Sequence, residues 1–192
     1  MNILLLAPEP FYQDRGTPIA VALILTGLSE RGDHVEVITY HEGAEVDYEH
    51  VTVHRILNIS FVRHIRPGFS WKKVVCDFFM LCKAIRLASK KHYDMVHAVE
   101  EAVFIALILK WTLHIPYVYD MDSSLAQQMV EKYRFLSPFN LLLKYFERIA
   151  VRNAEAVTPV CDALARTIQE YNPKKVAVLP DVSLLKDVEP DS

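Results

Sequence analysis

The hydrophobic positions of this chain fall into two alternating patterns. Residues 2–7, Asn-Ile-Leu-Leu-Leu-Ala, form an unbroken apolar run, as a parallel strand covered on both faces requires. Further runs of this kind occupy residues 34–40, 51–56, 93–99, 115–120, 155–160 and 175–179. Between most of them, residues 18–31, 70–92, 101–113, 123–133, 138–152 and 162–171 carry apolar side chains at helical spacing. Strand and helix in alternation predict crossover units and a doubly wound, parallel α/β sheet. Helix 101–113 is apolar nearly all round, which marks it as core packing.

With 192 residues, 52% hydrophobic and 23% charged, the chain has globular composition, which excludes a disordered tail, a collagenous fibre and a coiled coil. One domain over residues 1–186 is expected, with the polar, acidic residues 187–192 as a tail or linker. The longest apolar stretch, 102–113, is interrupted by Lys110 and falls short of the roughly 20 residues a membrane span requires. Cys76, Cys82 and Cys161 have no metal-type spacing and form no Cys-x-x-Cys pair, so a reduced, cytoplasmic protein is expected. A net charge of -3 argues against nucleic acid as a partner.

The charge is unevenly spread. Residues 61–92 carry eight lysines and arginines against Asp77 alone, a local +7 that leaves the remainder at -10. On a helix, Trp71, Val74, Val75, Phe78, Cys82 and Ile85 form one stripe, expected in the core. Lys72, Phe79, Lys83, Arg86 and Lys90 gather on a nearly opposite one, expected outside. That basic face suits anionic headgroups or phosphates; an ordinary solvated face is the alternative.

Three segments at predicted strand ends carry candidate chemistry. After the first strand the chain reads Arg15-Gly16-Thr17-Pro18 and enters a helix. Thr17 suits the N-cap and Pro18 the first turn, so Gly16 would present backbone amides to an anion, although plain turn chemistry has the same look. Asp120-Met121-Asp122 ends another strand, and His97 ends a third, followed by Glu100 and Glu101. Carboxylates at the carboxyl edge of a parallel sheet are placed for binding or proton transfer, for holding a divalent metal, or merely for capping the next helix.

In this order and spacing, the residues resemble the N-terminal half of the GT-B glycosyltransferases, in particular the large retaining family that includes mannosyl- and glucosyltransferases. The resemblance rests on Asn2-Ile3-Leu4-Leu5-Leu6-Ala7-Pro8, Arg15-Gly16-Thr17-Pro18, Asp94-Met95-Val96-His97-Ala98, Glu147-Arg148 with Ala154-Glu155-Ala156-Val157, and the segment Lys175-Val176-Ala177-Val178-Leu179-Pro180. It covers nearly the whole chain. The sequence departs from the family pattern at Arg15, where a second glycine is usual, at Val99 and Asp122, where histidines are frequent, and at Asp181-Val182.

The resemblance implies a Rossmann-like domain forming one half of a GT-B enzyme. Its nucleotide-sugar donor would be a substrate, with no cofactor and no metal. Arg15, Gly16 and Thr17 would lie at the donor phosphates, Asp122 and His97 at the reacting or acceptor hydroxyls. Lys72, Phe79, Lys83, Arg86 and Lys90 would serve a lipid-linked acceptor or an anionic membrane surface. The implied partner is a C-terminal donor-binding domain or separate subunit. A non-catalytic module that binds a phosphorylated ligand or a protein at the same edge is the alternative.

Overall fold

The computed structural model describes residues 1–13, 16–59, 62–63, 65 and 70–180. Its strands are β1 (Asn2–Ala7), β2 (His34–Thr39), β3 (Val51–Arg55), β4 (Met95–Val99), β5 (Tyr117–Met121) and β6 (Ala156–Pro159). They form one parallel sheet in the order β3-β2-β1-β4-β5-β6. The helices are α1 (Gly16–Glu30), α2 (Trp71–Ala88), α3 (Val103–Leu113), α4 (Leu125–Lys132), α5 (Asn140–Asn153) and α6 (Asp162–Gln169). The direction of winding changes between β1 and β4, and in such sheets the crevice at that switch point is where ligands bind.

The unbroken apolar run of β1 explains the layering. Leu4 and Leu6 enter one core with Ile38, Val96 and Ala98, closed by Met80 of α2, Leu109 of α3 and Val151 of α5. Ile3, Leu5 and Ala7 point the other way, into a second core closed by Val21 and Leu25 of α1. Each fully buried leucine contributes about 2 kcal/mol of apolar transfer, so neither face of β1 tolerates water.

Most expected elements are present within a few residues, with three instructive differences. Residues 175–179 make no regular strand; Val176 forms one parallel bridge to Val157, and Ala177 and Leu179 donate backbone bonds to Val157 and Pro159. Pro159 has no amide to return, which shortens the ladder. Helix 138–152 starts later, at Asn140, after a 3-10 segment Arg134–Phe139 that takes in Pro138.

The third difference reverses α2. Its buried residues are Cys76, Met80 and Ala84, whereas of the stripe expected in the core only Val75 packs against it: Trp71 is 59% exposed and Phe78 61%, and Val74, Cys82 and Ile85 are exposed as well. On the face expected outside, Phe79 packs against the core, and the ammonium groups of Lys72 and Lys83 donate to the carbonyls of Arg63 and Arg55. Arg86 and Lys90 remain exposed. Cys76, Met80 and Ala84 are the residues of α2 that enter the core, and the two ionisable groups beside them, Lys73 and Asp77, find partners there; bulk was the misleading signal. Residues 187–192 lie outside those described.

Leu5→Ala should lower the unfolding free energy by about 3 kcal/mol, because β1 is held by strands on both sides and collapses poorly around a cavity. Leu141→Ala, at a side chain 82% exposed, should change it by less than about 0.5 kcal/mol. Urea denaturation of the two variants checks the contrast.

Candidate active site

The carboxyl ends of the strands bring together Glu9 after β1, Tyr40 after β2, Glu100 and Glu101 after β4, and Asp122 after β5. The loop after β1 is fixed firmly. The Glu9 carbonyl accepts from the Thr39 hydroxyl at 2.6 Å and from the Tyr40 amide at 3.1 Å. Arg55 donates to the carbonyls of Phe11, Glu42 and Ala44 at 2.8, 2.8 and 2.6 Å, tying that loop to the one after β2. Between them, Gly43 has φ +120°, and a Cβ there would lie 2.1 Å from the Phe11 carbonyl oxygen.

Helix α1 begins at Gly16, two residues before the Pro18 start that a Thr17 N-cap would give. Thr17 lies inside the first turn, and its hydroxyl donates to Asp122 Oδ2 at 3.0 Å, joining the start of α1 to the end of β5. Asp122 does not cap α4: Ser124 does, its side chain accepting from the Gln127 amide at 3.3 Å. A Cβ on Gly16 would meet nothing within 4 Å, so the space in front of it is open. Arg15 lies outside the described residues.

The β5–α4 turn that carries Asp122 is braced from below by Glu147, which is buried and accepts from the Ser124 hydroxyl at 3.0 Å, the Ala126 amide at 3.3 Å and the Tyr171 hydroxyl at 3.1 Å. His97 is the third of the five residues of β4, set back from the strand end, and is buried. Its Nε2 faces Asp120 Oδ2 at 3.4 Å, and the Thr158 hydroxyl donates to the other oxygen of Asp120 at 3.0 Å. Asp120 and Asp122 thus serve different partners and are not a chelating pair. Among the described residues, no group of three or more His, Cys, Asp or Glu side chains is arranged to hold a metal ion.

Two further residues, both on α2, complete the edge. Lys73 of α2 forms an ion pair with Glu101, and the Tyr40 hydroxyl donates to Asp77 Oδ1 at 2.5 Å. Lys73 and Asp77 sit one turn apart on the buried side of α2, and only the reversed orientation of that helix brings them here. The signal available in the sequence was a Lys-x-x-x-Asp pair on the same stripe as Cys76 and Met80.

Carboxyls crowded in this way hold their protons. Burial, then the charge of Asp122, pushes Glu100 up to about 9. Burial does the same for Glu9, to about 8, with Lys73 opposing and Asp122 and Glu101 adding. Asp77 rises to about 7 through burial and the nearby Glu101. Burial alone would depress Lys73, yet the Glu101 carboxylate beside it holds it above the usual lysine value. The edge is therefore rich in carboxyls that donate as well as accept hydrogen bonds near neutral pH.

An open cleft of about 730 Å³ lies at the opposite edge, lined by His34, Glu36, His50, Lys91 and Tyr93. Ligands of open parallel sheets bind at carboxyl ends, so the acidic edge is the better candidate.

The model of Glycosyltransferase Family 4 matches residues 15–181. The chain belongs to this family. No curated protein sequence matches it. Among solved structures, this member of Glycosyltransferase Family 4 is similar to a sucrose-phosphate synthase from Thermosynechococcus elongatus, with a TM-score of 0.69 at 14% identity over 93% of this chain and 47% of that one. It is also similar to a UGT transferase from Siraitia grosvenorii in complex with UDP (TM-score 0.58, 9% identity, 96% and 52% coverage) and to an apo UGT2 of Phytolacca americana (0.57, 10%, 98% and 53%). The chain spans about half the length of these structures. The likeness establishes the expected fold, the Rossmann-like N-terminal half of a GT-B architecture.

The raised carboxyl pKa values fix the sign of a pH effect. Between the ordinary value of 4.5 and folded values of about 8 and 9, the folded chain keeps protons on Glu9 and Glu100 that the unfolded chain has released. Stability should then fall as pH rises through that window and level off above it. Thermal melts from about pH 5 to about pH 9.5 check this, and Glu100→Gln should flatten the slope.

Proposed function

We propose that this chain is the acceptor-side half of a glycosyltransferase that moves a hexosyl group from a nucleotide-sugar donor to an acceptor hydroxyl. Family membership supports the reaction class. The observation that carries the acceptor assignment is the chemistry of the carboxyl edge: Glu9, Glu100, Glu101 and Asp122 surround one lysine, and Lys73 is already paired. Such an edge favours sugar hydroxyls, which accept from protonated carboxyls and donate to ionised ones. Glu9 Oε1 is buried and has no hydrogen-bond partner among the described residues, a place that a bound hydroxyl would fill.

In this reading Asp122 meets the reacting hydroxyl and stabilises the charge that develops on it, with Thr17 fixing its second oxygen. His97 is a positioning residue, acting through Asp120 on the end of β5. The open backbone at Gly16, with Arg15 before it and Thr17 after it, faces the donor phosphates. The donor itself is held mainly by a second domain or subunit, so this chain alone transfers no sugar. The enzyme is placed at the cytoplasmic face of a membrane, working in glycan biosynthesis on a sugar or lipid-linked acceptor.

Two measurements test the reading. Calorimetry of this chain against a panel of sugar nucleotides should find no dissociation constant tighter than about 1 mM; micromolar binding would refute the half-enzyme assignment. In the complete enzyme containing this domain, Asp122→Asn should lower turnover by about 10²-fold while the melting temperature moves by only a few degrees. Turnover equal to wild type would remove Asp122 from the chemistry.

A further inference from the structure

Helix α2 delivers most of its basic side chains to the edge where the strands begin. Lys83 and Arg86 lie in its second half, and Lys90 and Lys91 in the turn that leads on to β4. The Lys83 ammonium donates to the carbonyl of Arg55 on β3, so this flank of the helix lies toward the β2–β3 side of the sheet. Arg86 and Lys90 follow at helical spacing along the same stripe, and both are exposed. The turn after α2 and the first residues of β2 and β3 together line the open cleft of about 730 Å³.

The cleft holds more hydrogen-bond donors than its own acceptors can use. The one carboxylate that lines it, Glu36 of β2, is already engaged: Lys91 donates to Oε1 at 2.6 Å, and His54 Nε2 lies 2.7 Å from Oε2. Tyr93 also lines the cleft, is 4% exposed, and its hydroxyl has no hydrogen-bond partner among the described residues. Burial and the nearby charge of Glu36 hold this phenol above its usual value, so it stays a donor. A buried hydroxyl with nothing to accept from it is a cost that a bound acceptor removes.

His34, His50 and His92 line the remainder, with the rings of His34 and His50 in edge contact at 5.2 Å. Two acids flank them. Glu49, 84% exposed, lies 3.5 Å from His50, and Asp94 lies 3.8 Å from His92 while its other oxygen accepts from the Asn2 amide at 2.7 Å. A cation finds little here, because the single lining carboxylate is taken and no three ligating side chains converge among the described residues. An anion finds three imidazoles, the Tyr93 hydroxyl and Lys91, whose ammonium has donors to spare beyond the one that Glu36 uses.

We infer that this amino-edge cleft is a second binding site, for a small molecule carrying a dianionic phosphate monoester. Lys91, His34, His50 and Tyr93 receive the phosphate, and the volume leaves room for the body of the molecule that bears it. Imidazoles change charge between about pH 5 and pH 8, so the affinity rises as pH falls. The site lies at the opposite end of the strands from the proposed transfer chemistry and makes no use of it.

Sulfate is the probe for the pH dependence, because it stays a dianion throughout this range. Titrated into the chain at pH 6 and constant ionic strength, it should move the imidazole NMR signals of His34 and His50 saturably and leave that of His97 in place. At pH 8 the half-saturating concentration should be about tenfold higher. Glycerol phosphate, a monoester, should move the same two signals. Tyr93→Phe, which removes the hydroxyl alone, should weaken sulfate binding about threefold. His34→Gln with His50→Gln, both at exposed positions, should weaken it about tenfold with an unchanged thermal melt. The inference is overturned by the absence of a saturable shift at His34 and His50, by equal sulfate affinity at pH 6 and pH 8, by full affinity in the double histidine variant, or by sulfate binding that glycerol phosphate does not reproduce.

Discussion

A strand that is apolar on both faces can leave neither in water, and β1, apolar from Ile3 to Ala7, is that strand. Its double burial requires helices on both sides of the sheet, parallel neighbours on both edges and loops that leave at the two ends. The polar residues that follow each strand are thereby delivered to one rim. The acidic edge is a consequence of this layering: Glu9, Glu100, Glu101 and Asp122 come from three different strand ends and have no relation in sequence beyond that. Arg55 and the Thr17–Asp122 bond then fix the loops relative to one another.

Where a segment had one possible buried face, the sequence was read correctly. Residues 2–7 and helix 101–113 are apolar all round, and no rotation or slip could misplace them. Helix α2 was harder because it has two apolar stripes. Periodicity reports that a stripe exists and says nothing of which one meets the sheet. The orientation seen pairs Lys73 and Asp77 with Glu101 and Tyr40, residues remote in sequence. The same applies to Thr17: local rules make it a cap, whereas a bond to Asp122, over a hundred residues away, uses it inside the helix. Of the site itself, Asp122 and the strand-end position of the glutamates were legible, because strand ends are legible. The partnership of His97 with Asp120 was not, since it depends on strand register.

The electrostatics of the rim and of the helices are complementary within one molecule. The rim concentrates carboxyls until burial and mutual repulsion make several of them keep their protons, whereas residues 61–92 of the same chain carry a formal +7. A molecule close to neutral in total is thus strongly polarised along its surface, and its total charge describes neither part.

Gly43 shows how tightly the rim is built. With a Cβ excluded by the Phe11 carbonyl, the backbones of the loops after β1 and β2 touch with no side chain between them. The two loops are in effect one object with two chain crossings. A displacement of either is carried to the other without a compliant side chain to absorb it, so the wall of the site formed by Glu9 and Tyr40 shifts as a unit when anything leans on it. Shape changes at this edge are therefore discrete repackings of a paired loop, and a ligand of slightly different size meets a wall that moves whole or stays where it is.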